Sequence, residues 1–323
     1  MWGRWGNVKK KYSKAKTMLT YRELKEEHGN IADRFAYIDF MLRFTGVVKR
    51  ADIGDMFNLS DAAASKVLAR YGEVCEHNIE YNRSVRANAI VRESFKPLID
   101  FDAETALGML AHGFNKNKLS QPVKTSIPFE KIGRLPNKLS VDFIAKITRA
   151  ITGKYAISCE YRSENSNNHE RRTIIPLAIM HDGVNWMFRG YHREADGSVF
   201  FKNFHFSRAK EVDELFEVNE YKAKSYETLQ SDKEWNLILP LQLRIHPDRD
   251  ATLQQRIRTD FGMTEGQDEL TTSVRCAFMW IIEKEWFIDV RSAEEKKAST
   301  NQRFYKFELI NSEMLKLLKE TNL

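Results

Sequence analysis

Cysteine is scarce in this chain of 323 residues, which contains only Cys75, Cys159 and Cys276. The three are far apart, and none belongs to a Cys-x-x-Cys pair. Disulfide frameworks and structural zinc sites depend on such spacing. The sequence therefore argues against a disulfide scaffold and a zinc module, and we expect neither a metal nor a cofactor.

Long apolar segments are also missing. The longest apolar runs, such as residues 278–282, are far shorter than the roughly 20 residues that a helix needs to cross a bilayer. Residues 1–22 lack the apolar core of a secretory signal peptide. We therefore expect a cytoplasmic protein that does not contact membranes.

Motifs of the common enzyme classes are absent as well. The chain has no GxxxxGK[ST], GxGxxG, HExxH or GxSxG segment, so phosphate-loop, dinucleotide, zinc-protease and serine-nucleophile chemistry lack support. Asp268, Glu283 and Glu285 are scattered carboxylates, and helical spacing places the two glutamates on the solvent side. We expect no catalytic residues and a protein that is not an enzyme.

Positive charge is present but unevenly distributed. Residues 1–96 hold 18 Lys and Arg against 12 Asp and Glu, whereas residues 97–323 hold 33 of each. Residues 1–22 form a basic arm with seven Lys or Arg, no acidic residue and four aromatics. Such an arm is compatible with binding to phosphates, and it is equally compatible with a tail that only aids solubility. A basic region on a neutral body indicates a polyanionic partner.

The first third of the chain has the pattern of a winged helix. Apolar residues at helical spacing predict a helix over residues 31–44, a second over 50–57 and a third that begins at Ser60. Residues 78–91 read as two short strands around a polar turn at 82–84. Three helices followed by a hairpin wing predict a winged helix-turn-helix.

Residues 51–68 carry the residue classes of a helix-turn-helix. Ile53 and Phe57 supply the buried side of its first helix, and Gly54 is small where the two helices cross. Asn58 occupies the turn, where a positive φ is needed and Asn is tolerated second only to Gly. Leu59 fills the space between the helices.

The second helix of the motif is the predicted recognition helix. Ser60 is its N-cap, and Ala64 and Leu68 point inward. Lys66 is expected to contact guanine or a phosphate, Ser65 and Arg70 to contact phosphates, and Asp61 either to select cytosine or to complement the helix N-terminus. The predicted DNA-binding residues, with two arginines that reach the backbone or minor groove from the wing, are Ser60, Asp61, Ala62, Ser65, Lys66, Arg70, Arg83 and Arg86.

The remaining sequence predicts two further domains. A short helix over 102–110 leads into a connector with three prolines, Pro122, Pro128 and Pro136. An amphipathic helix over 139–151 and several short strands then indicate a small antiparallel barrel. The last ninety residues read as a compact α/β module. The predicted strands and helices of these two regions are 155–161, 173–180, 186–191 and 199–206, then 237–246, 249–261, 274–286, 304–310 and 312–320.

Five segments of the middle region resemble the ordered signature of a WYL domain: Tyr161–Ser163, Arg172–Leu177, Trp186–His192, Phe201–Phe204 and Ser207–Arg208. The family's name-giving triplet aligns with residues 186–188, of which this chain keeps only the tryptophan. The resemblance implies an α+β multidomain protein with an N-terminal winged helix-turn-helix, a central Sm/SH3-like WYL β-barrel and a C-terminal α/β module known as WCX.

The same resemblance implies domain boundaries and a function. It gives residues 1–96 as the DNA-binding domain with its arm, 97–138 as connector, 139–230 as the WYL ligand-sensing domain and 231–323 as the WCX dimerisation module. It implies a homodimeric repressor of a phage-defence operon of the BREX or CBASS type. Such a repressor binds double-stranded inverted repeats and responds to a nucleotide or nucleic-acid ligand.

A ligand site can be read from the WYL-like segments. Arginine forks suit phosphates, aromatic rings stack bases, and serines add hydroxyl groups. The alternative is that the arginines pair with carboxylates while the aromatics fill the core. The predicted ligand residues are Tyr161, Ser163, Arg172, Arg189, Tyr191, His192, Phe204, Ser207 and Arg208.

Two other functions fit parts of the sequence. A metal-dependent nuclease or nucleic-acid effector would use the winged helix only for docking, and it would cleave nucleic acid with a divalent metal. An RNA-binding adaptor would use the Sm-like barrel and would be indifferent to substitution of Lys66.

Overall fold

The computed structural model describes residues 18–120, 127–128, 139–163, 171–193, 199–298 and 304–322. The chain divides into two compact units: unit 1 comprises Met1–Arg171 and Phe206–Val218, and unit 2 comprises Arg172–His205 and Asn219–Leu323. Most of the basic arm, Pro122 and Pro136 lie outside the described residues. Among the described residues, no helix is both long and apolar enough to cross a membrane.

Unit 1 begins with the predicted winged helix. Its helices are α1 (Tyr21–His28), α2 (Ala32–Thr45), α3 (Arg50–Phe57) and α4 (Asp61–Val74), and its strands are β1 (Val47–Val48), β2 (Ile79–Asn82) and β3 (Ala87–Ile90). The strands form an antiparallel sheet in the order β1-β3-β2. Three predicted helices and the hairpin are thus confirmed.

Helix α2 forms the centre of the winged-helix core. Its aromatic and aliphatic side chains are buried against α3 and α4, where Ile53, Ala64 and Tyr71 are fully buried. Removing that much apolar surface from water supplies the main stabilisation of the domain. Gly46 ends α2 with φ 80°, a conformation that favours glycine. The buried apolar residues of α2 are Ala32, Phe35, Ala36, Tyr37, Ile38, Phe40, Leu42 and Phe44.

Asp39 is a fully buried carboxylate within this core. Its Oδ1 accepts hydrogen bonds from the Tyr71 hydroxyl at 2.6 Å and from the Leu98 amide at 3.1 Å, and its Oδ2 accepts one from the Ile99 amide at 3.4 Å. Burial, only partly offset by these bonds, raises the pKa of Asp39 from 3.8 to about 6. The carboxyl group therefore fastens α2 to α4 and to the chain that follows the wing.

We expect Asp39→Asn to change how stability depends on pH. A raised pKa means that the folded protein binds this proton more tightly than the unfolded chain, so the contribution of Asp39 to stability falls as pH rises from about 4 to 6. The free energy of unfolding of the variant, minus that of the wild type, should increase by about 3 kcal/mol over this window. Urea denaturation across pH 4–7 measures the difference. Asp55→Asn, at an exposed position on α3, is the control, and parallel curves for Asp39→Asn and wild type would contradict the prediction.

The rest of unit 1 consists of α5 (Ala103–His112), α6 (Val141–Gly153), β4 (Ile157–Tyr161) and β8 (Ala209–Glu214). Strands β4 and β8 pair antiparallel. Helix α6 is the predicted amphipathic helix, capped by Ser140, and it buries Ile144 and Ile147. Strand β8 was not predicted, because four of its six residues are charged.

A buried ion-pair network ties these elements to the winged helix. Glu214 on β8 pairs with Arg149 on α6, accepts a hydrogen bond from the Tyr155 hydroxyl at 2.6 Å and lies 3.5 Å from Arg92 Nε. Arg149 also donates from Nη1 to the carbonyl oxygen of Arg43, 2.7 Å away on α2. Burial raises the pKa of Glu214, but the Arg149 hydrogen bond and charge outweigh it and hold the pKa below its usual value.

Unit 2 starts with three antiparallel strands: β5 (Arg171–His181), β6 (Trp186–Arg193) and β7 (Val199–His205). The first residue of β5, Arg171, still belongs to unit 1. Within the described residues the strands do not close into a barrel, and β7 ends its sheet with β6 as its sole partner. Closure of the predicted Sm/SH3-like barrel is therefore not found among these residues. Alternating residues predict antiparallel strands, but closure depends on tilt and register stagger, which alternation does not encode.

The C-terminal part of unit 2 is a four-stranded sheet with helices. The sheet order is β10-β9-β12-β11, and its core contains Leu239, Leu241, Leu243, Ile257 and Phe307. Assignment of this part as a WCX module stays a prediction. Its elements are α7 (Lys233–Asn236), β9 (Ile238–Ile245), α8 (Ala251–Asp260), β10 (Glu269–Arg275), α9 (Met279–Glu285), β11 (Ile288–Asp289), α10 (Ala293–Ala298), β12 (Phe307–Leu309) and α11 (Ser312–Asn322).

The helix predicted over residues 274–286 is only partly correct. Val274 lies in β10 opposite Leu239, a 3₁₀ turn spans Cys276–Phe278, and the helix starts at Met279. The β-favouring residues at the start of the segment pair with β9, and this tertiary pairing overrides their helical spacing. Glu283, expected on the solvent side, is half-buried, and burial raises its pKa.

Candidate nucleic-acid interface

The turn between α3 and α4 has the geometry that its sequence predicts. Asn58 adopts φ 51° and ψ 56° in the left-handed region, and the Leu59 amide donates to the Gly54 carbonyl oxygen at 3.0 Å. A Cβ atom on Gly54 would lie 3.1 Å from the Leu59 carbonyl oxygen, so a small residue suits the crossing. These contacts fix the angle at which α4 leaves α3.

Helix α4 is anchored along one side. The Ser60 hydroxyl accepts a hydrogen bond from the Ala63 amide at 3.4 Å, and the Ser60 carbonyl oxygen accepts one from the Ala64 amide at 2.9 Å. Ala64, Val67 and Leu68 are buried together with Tyr71. The opposite side therefore points away from the core of unit 1.

The predicted DNA-binding residues of α4 lie on that outer side. Lys66 and Arg70 are four positions apart and both are exposed, so they share one face about one turn apart. Ser65, beside them, is half-buried. The exposed remainder of the predicted set on and before α4 consists of Ser60, Asp61 and Ala62.

The wing is a tight hairpin with a basic tip. Asn82 Oδ1 accepts hydrogen bonds from the amides of Ser84 at 2.9 Å and Val85 at 3.4 Å, which shapes the turn. Arg86 adopts φ 49°. Both Arg83 and Arg86 are exposed, as their predicted contact with DNA requires.

A groove runs between α4 and the wing. Ser65, Leu68, Ala69 and Gly72 line it from α4, and residues of the hairpin line it from the other side. Of its nine lining residues, only Ser65 belongs to the predicted DNA-binding set. Arg50, at the start of α3, and Tyr81, which is 59% exposed on β2, are lining residues outside that set whose side chains suit nucleic acid. The alternating pattern of the hairpin places the aromatic residue Tyr81 on a wing strand, and this was the signal in the sequence that could have identified it. The remaining lining residues are Ile79, Glu80 and Asn88.

The predicted ligand residues fall in both units. In unit 1, Tyr161 is buried at the end of β4 opposite Ala209. The Arg162 amide donates to the Arg208 carbonyl oxygen at 3.1 Å. Residues 161–163 and 207–208 thus lie side by side, although more than forty positions separate them. Ser163, Ser207 and Arg208 are half-buried there.

In unit 2, Arg189 has the role that the alternative interpretation gave it. Its side chain is 2% exposed; Nε and Nη2 donate to Asp232 at 2.7 and 2.9 Å, and Nη2 also donates to Glu234 at 2.9 Å. Nη1 donates to Asn203 Oδ1 at 3.0 Å. Tyr191, His192 and Phe204 are buried and Arg172 is half-buried. Ligand binding by all of these residues stays a prediction.

No metal centre is found in the part of the chain that the structure describes. Among those residues, no group of three or more His, Cys, Asp or Glu is placed to hold an ion. The nuclease alternative therefore gains no structural observation in its favour.

Comparisons with known proteins match both parts of this architecture. Residues 30–112 match the BrxR transcriptional regulator winged helix-turn-helix domain, and residues 142–214 match the WYL domain. The DNA-binding transcriptional repressor CapW of Pseudomonas aeruginosa is 25% identical over 244 residues, covering 72% of this chain and 76% of the relative. CapW of Escherichia coli (strain KTE188) is 25% identical over 241 residues, with 73% and 77% covered.

A solved structure, proteasome accessory factor B/C (PafBC) of Arthrobacter aurescens, aligns over 76% of this chain and 41% of that chain at 18% identity, with a TM-score of 0.25 that supports no inference. The two domain matches are the basis for assigning the family. Both α4 and the wing lie inside the first matched segment. This chain thus combines a BrxR-type winged helix-turn-helix domain with a WYL domain and is a homologue of CapW, which confirms the resemblance to WYL-domain transcriptional regulators.

Proposed function

We propose that this protein is a DNA-binding transcriptional repressor, not an enzyme, that inserts α4 into the major groove. The observation that supports this proposal is the exposed outer side of α4. The inner side of the helix is buried and its N-terminus is capped, and Lys66 and Arg70 project together from the outer side. A helix held in this way presents its side chains to base edges without reorganising the domain. Homology to CapW supports the repressor role.

The wing supplies a second contact in this proposal. Arg83 and Arg86 lie at the tip of a hairpin that flanks the groove beside α4. Arginines there neutralise phosphates, and such contacts set the register of the protein on DNA without reading sequence. Base contacts from α4 then determine which operator is bound.

The protein acts as a homodimer on an inverted repeat in a phage-defence operon, in our proposal, and a nucleotide or nucleic-acid ligand at the WYL domain controls it. Two-fold symmetry of the protein requires half-sites separated by about one helical turn of DNA or a multiple of it. The WYL-domain match supports ligand control, since it contains the residues predicted to bind an anion.

Footprinting on the DNA upstream of the protein's own reading frame tests the proposal. We expect a protected inverted repeat at physiological salt, with affinity for that duplex at least ~10³-fold above affinity for a scrambled duplex. Salt must be fixed, because nonspecific binding rises steeply as salt is lowered. Equal affinity for the two duplexes would contradict a sequence-specific repressor.

A further inference from the structure

Unit 2 contains a cavity of about 460 Å³ between the end of the β5–β6 hairpin and α9. All nine of its lining residues belong to unit 2. Pockets that hold small organic ligands have volumes of roughly 300–1,000 Å³ and mostly apolar walls with a few polar groups. This cavity has both properties, since six of its lining residues are apolar: Met180, Met187, Phe278, Ile281, Ile282 and Trp286.

Two elements supply the apolar walls. Met180 on β5 and Met187 on β6 are register partners, so their side chains share one face of the hairpin. Flexible thioethers adapt to apolar ligands of different shapes. The facing wall consists of residues at the i, i+3, i+4 and i+7 positions that one side of a helix presents. These residues, on α9 and immediately before it, are Phe278, Ile281, Ile282 and Glu285.

Contacts outside the cavity hold its walls in place. The Phe261 ring packs edge-on against the Trp286 ring, with 5.4 Å between their centroids. Asn203 Nδ2 on β7 donates to the Ala277 carbonyl oxygen at 2.9 Å, which ties the start of the helical wall to the strands. A ligand therefore enters a preformed space, and little conformational entropy is lost on binding.

The polar lining residues give the cavity a negative charge. Asp182 Oδ1 accepts hydrogen bonds from the amides of Val184 at 2.8 Å and Asn185 at 2.5 Å. Burial raises the pKa of Asp182, but the hydrogen bonds from Asn185 and Val184 outweigh it and hold the pKa below its usual value. Glu285 adds an exposed carboxylate. His181 adds no positive charge, because its Nδ1 accepts a backbone amide hydrogen bond at 3.2 Å and so carries no proton.

We propose that this cavity binds a small molecule in which an apolar body carries one ammonium group. The body is buried against the methionines, Phe278 and the isoleucines, and the ammonium group is attracted by Asp182 and Glu285. Trp286 lines the same cavity and adds cation–π attraction. None of the nine lining residues is a lysine or arginine, so an anion of the same size is disfavoured. The ligand therefore differs in charge from the nucleotide or nucleic acid proposed to control the protein, and the inference does not rest on that proposal.

Isothermal titration calorimetry of the full chain with three naphthalene probes of matched size tests the site. The probes are 2-(1-naphthyl)ethylamine, which is protonated at pH 7.5, 2-(1-naphthyl)ethanol and 1-naphthylacetate. We expect one amine to bind per chain with a Kd below about 1 mM, the alcohol to bind at least about tenfold more weakly, and the acetate to bind more weakly still.

Substitutions separate the charge of the site from its volume. Glu285→Gln should lower affinity for the amine about fivefold, whereas Glu265→Gln, at an exposed position elsewhere in unit 2, should leave it within about twofold. Met180→Trp fills the cavity and should lower affinity for the amine at least about tenfold, and Met180→Leu should nearly preserve it. Thermal unfolding checks that each variant folds cooperatively, and Ile281→Trp replaces Met180→Trp if that variant does not.

Four results would overturn the inference: binding of the amine weaker than about 1 mM, binding of the alcohol or acetate as tight as that of the amine, an effect of Glu285→Gln no larger than that of Glu265→Gln, or undiminished binding in a cooperatively folded variant with the cavity filled. Operator DNA is absent from these titrations. Failure of the repressor proposal would therefore leave their outcome unchanged.

Discussion

Lys66→Ala should lower affinity for the operator by about 10- to 100-fold per recognition helix, because a base or phosphate contact of this kind contributes about 1–3 kcal/mol. The proposed homodimer would use two copies of α4 on one operator, and in that case the measured loss should approach the square of the single-helix value. Arg70→Ala should act in the same direction and should also flatten the salt dependence of binding, since a lost phosphate contact lowers that slope by about one.

Equilibrium binding to the footprinted duplex at several salt concentrations measures both effects. Lys284→Ala removes the same charge from an exposed position in unit 2 and should leave affinity within about twofold. Because Lys66 and Arg70 are exposed, both variants should unfold at the wild-type temperature. Wild-type operator affinity in Lys66→Ala would refute α4 as the recognition helix, and an equal loss in Lys284→Ala would reveal a nonspecific charge effect.

Glu214→Ala should destabilise unit 1 by about 3–5 kcal/mol, since it leaves buried Arg149 without its counter-charge. The side chains of the pair are 7% and 8% exposed. Urea denaturation at neutral pH, followed by circular dichroism, measures the loss. A Glu214→Leu, Arg149→Met double variant should recover much of it, because two apolar side chains leave no charge uncompensated.

The neighbouring residue on β8 provides a matched control. Asp213 also pairs with an arginine, Arg171, but these side chains are 62% and 43% exposed. Exposed ion pairs contribute at most about 1 kcal/mol, so Asp213→Ala should have little effect. Equal destabilisation by Asp213→Ala and Glu214→Ala would show that burial does not set the strength of these pairs.

Local chemistry explains why some elements could be predicted accurately. Helix α3 was predicted over 50–57 and is observed over Arg50–Phe57, because its end depends on the left-handed turn at Asn58 and not on distant contacts. The hairpin wing likewise follows from alternating residues around a polar turn. The exposure of Lys66 and Arg70 follows from the 3.6-residue period once the buried side of α4 is known.

Features that depend on distant partners were not predictable. Arg189 pairs with Asp232, 43 positions away, and nothing in the WYL-like segment indicates which carboxylate it meets. Two of the four charged residues of β8, Asp213 and Glu214, pair with Arg171 and Arg149, and the sequence of this strand alone resembles a surface loop. Sequence patterns therefore located the arginines but not whether each one was free for a ligand.

The Arg149 contact with Arg43 has a mechanical consequence. One guanidinium joins a helix of the DNA-reading domain to a strand of the WYL domain, and both belong to unit 1. A side-chain hydrogen bond therefore joins the segment that matches the WYL domain to the winged helix-turn-helix domain, in addition to the chain itself. Because α4 packs on α2 through the Tyr71–Asp39 hydrogen bond, the same arginine places β8 two contacts away from the proposed recognition helix.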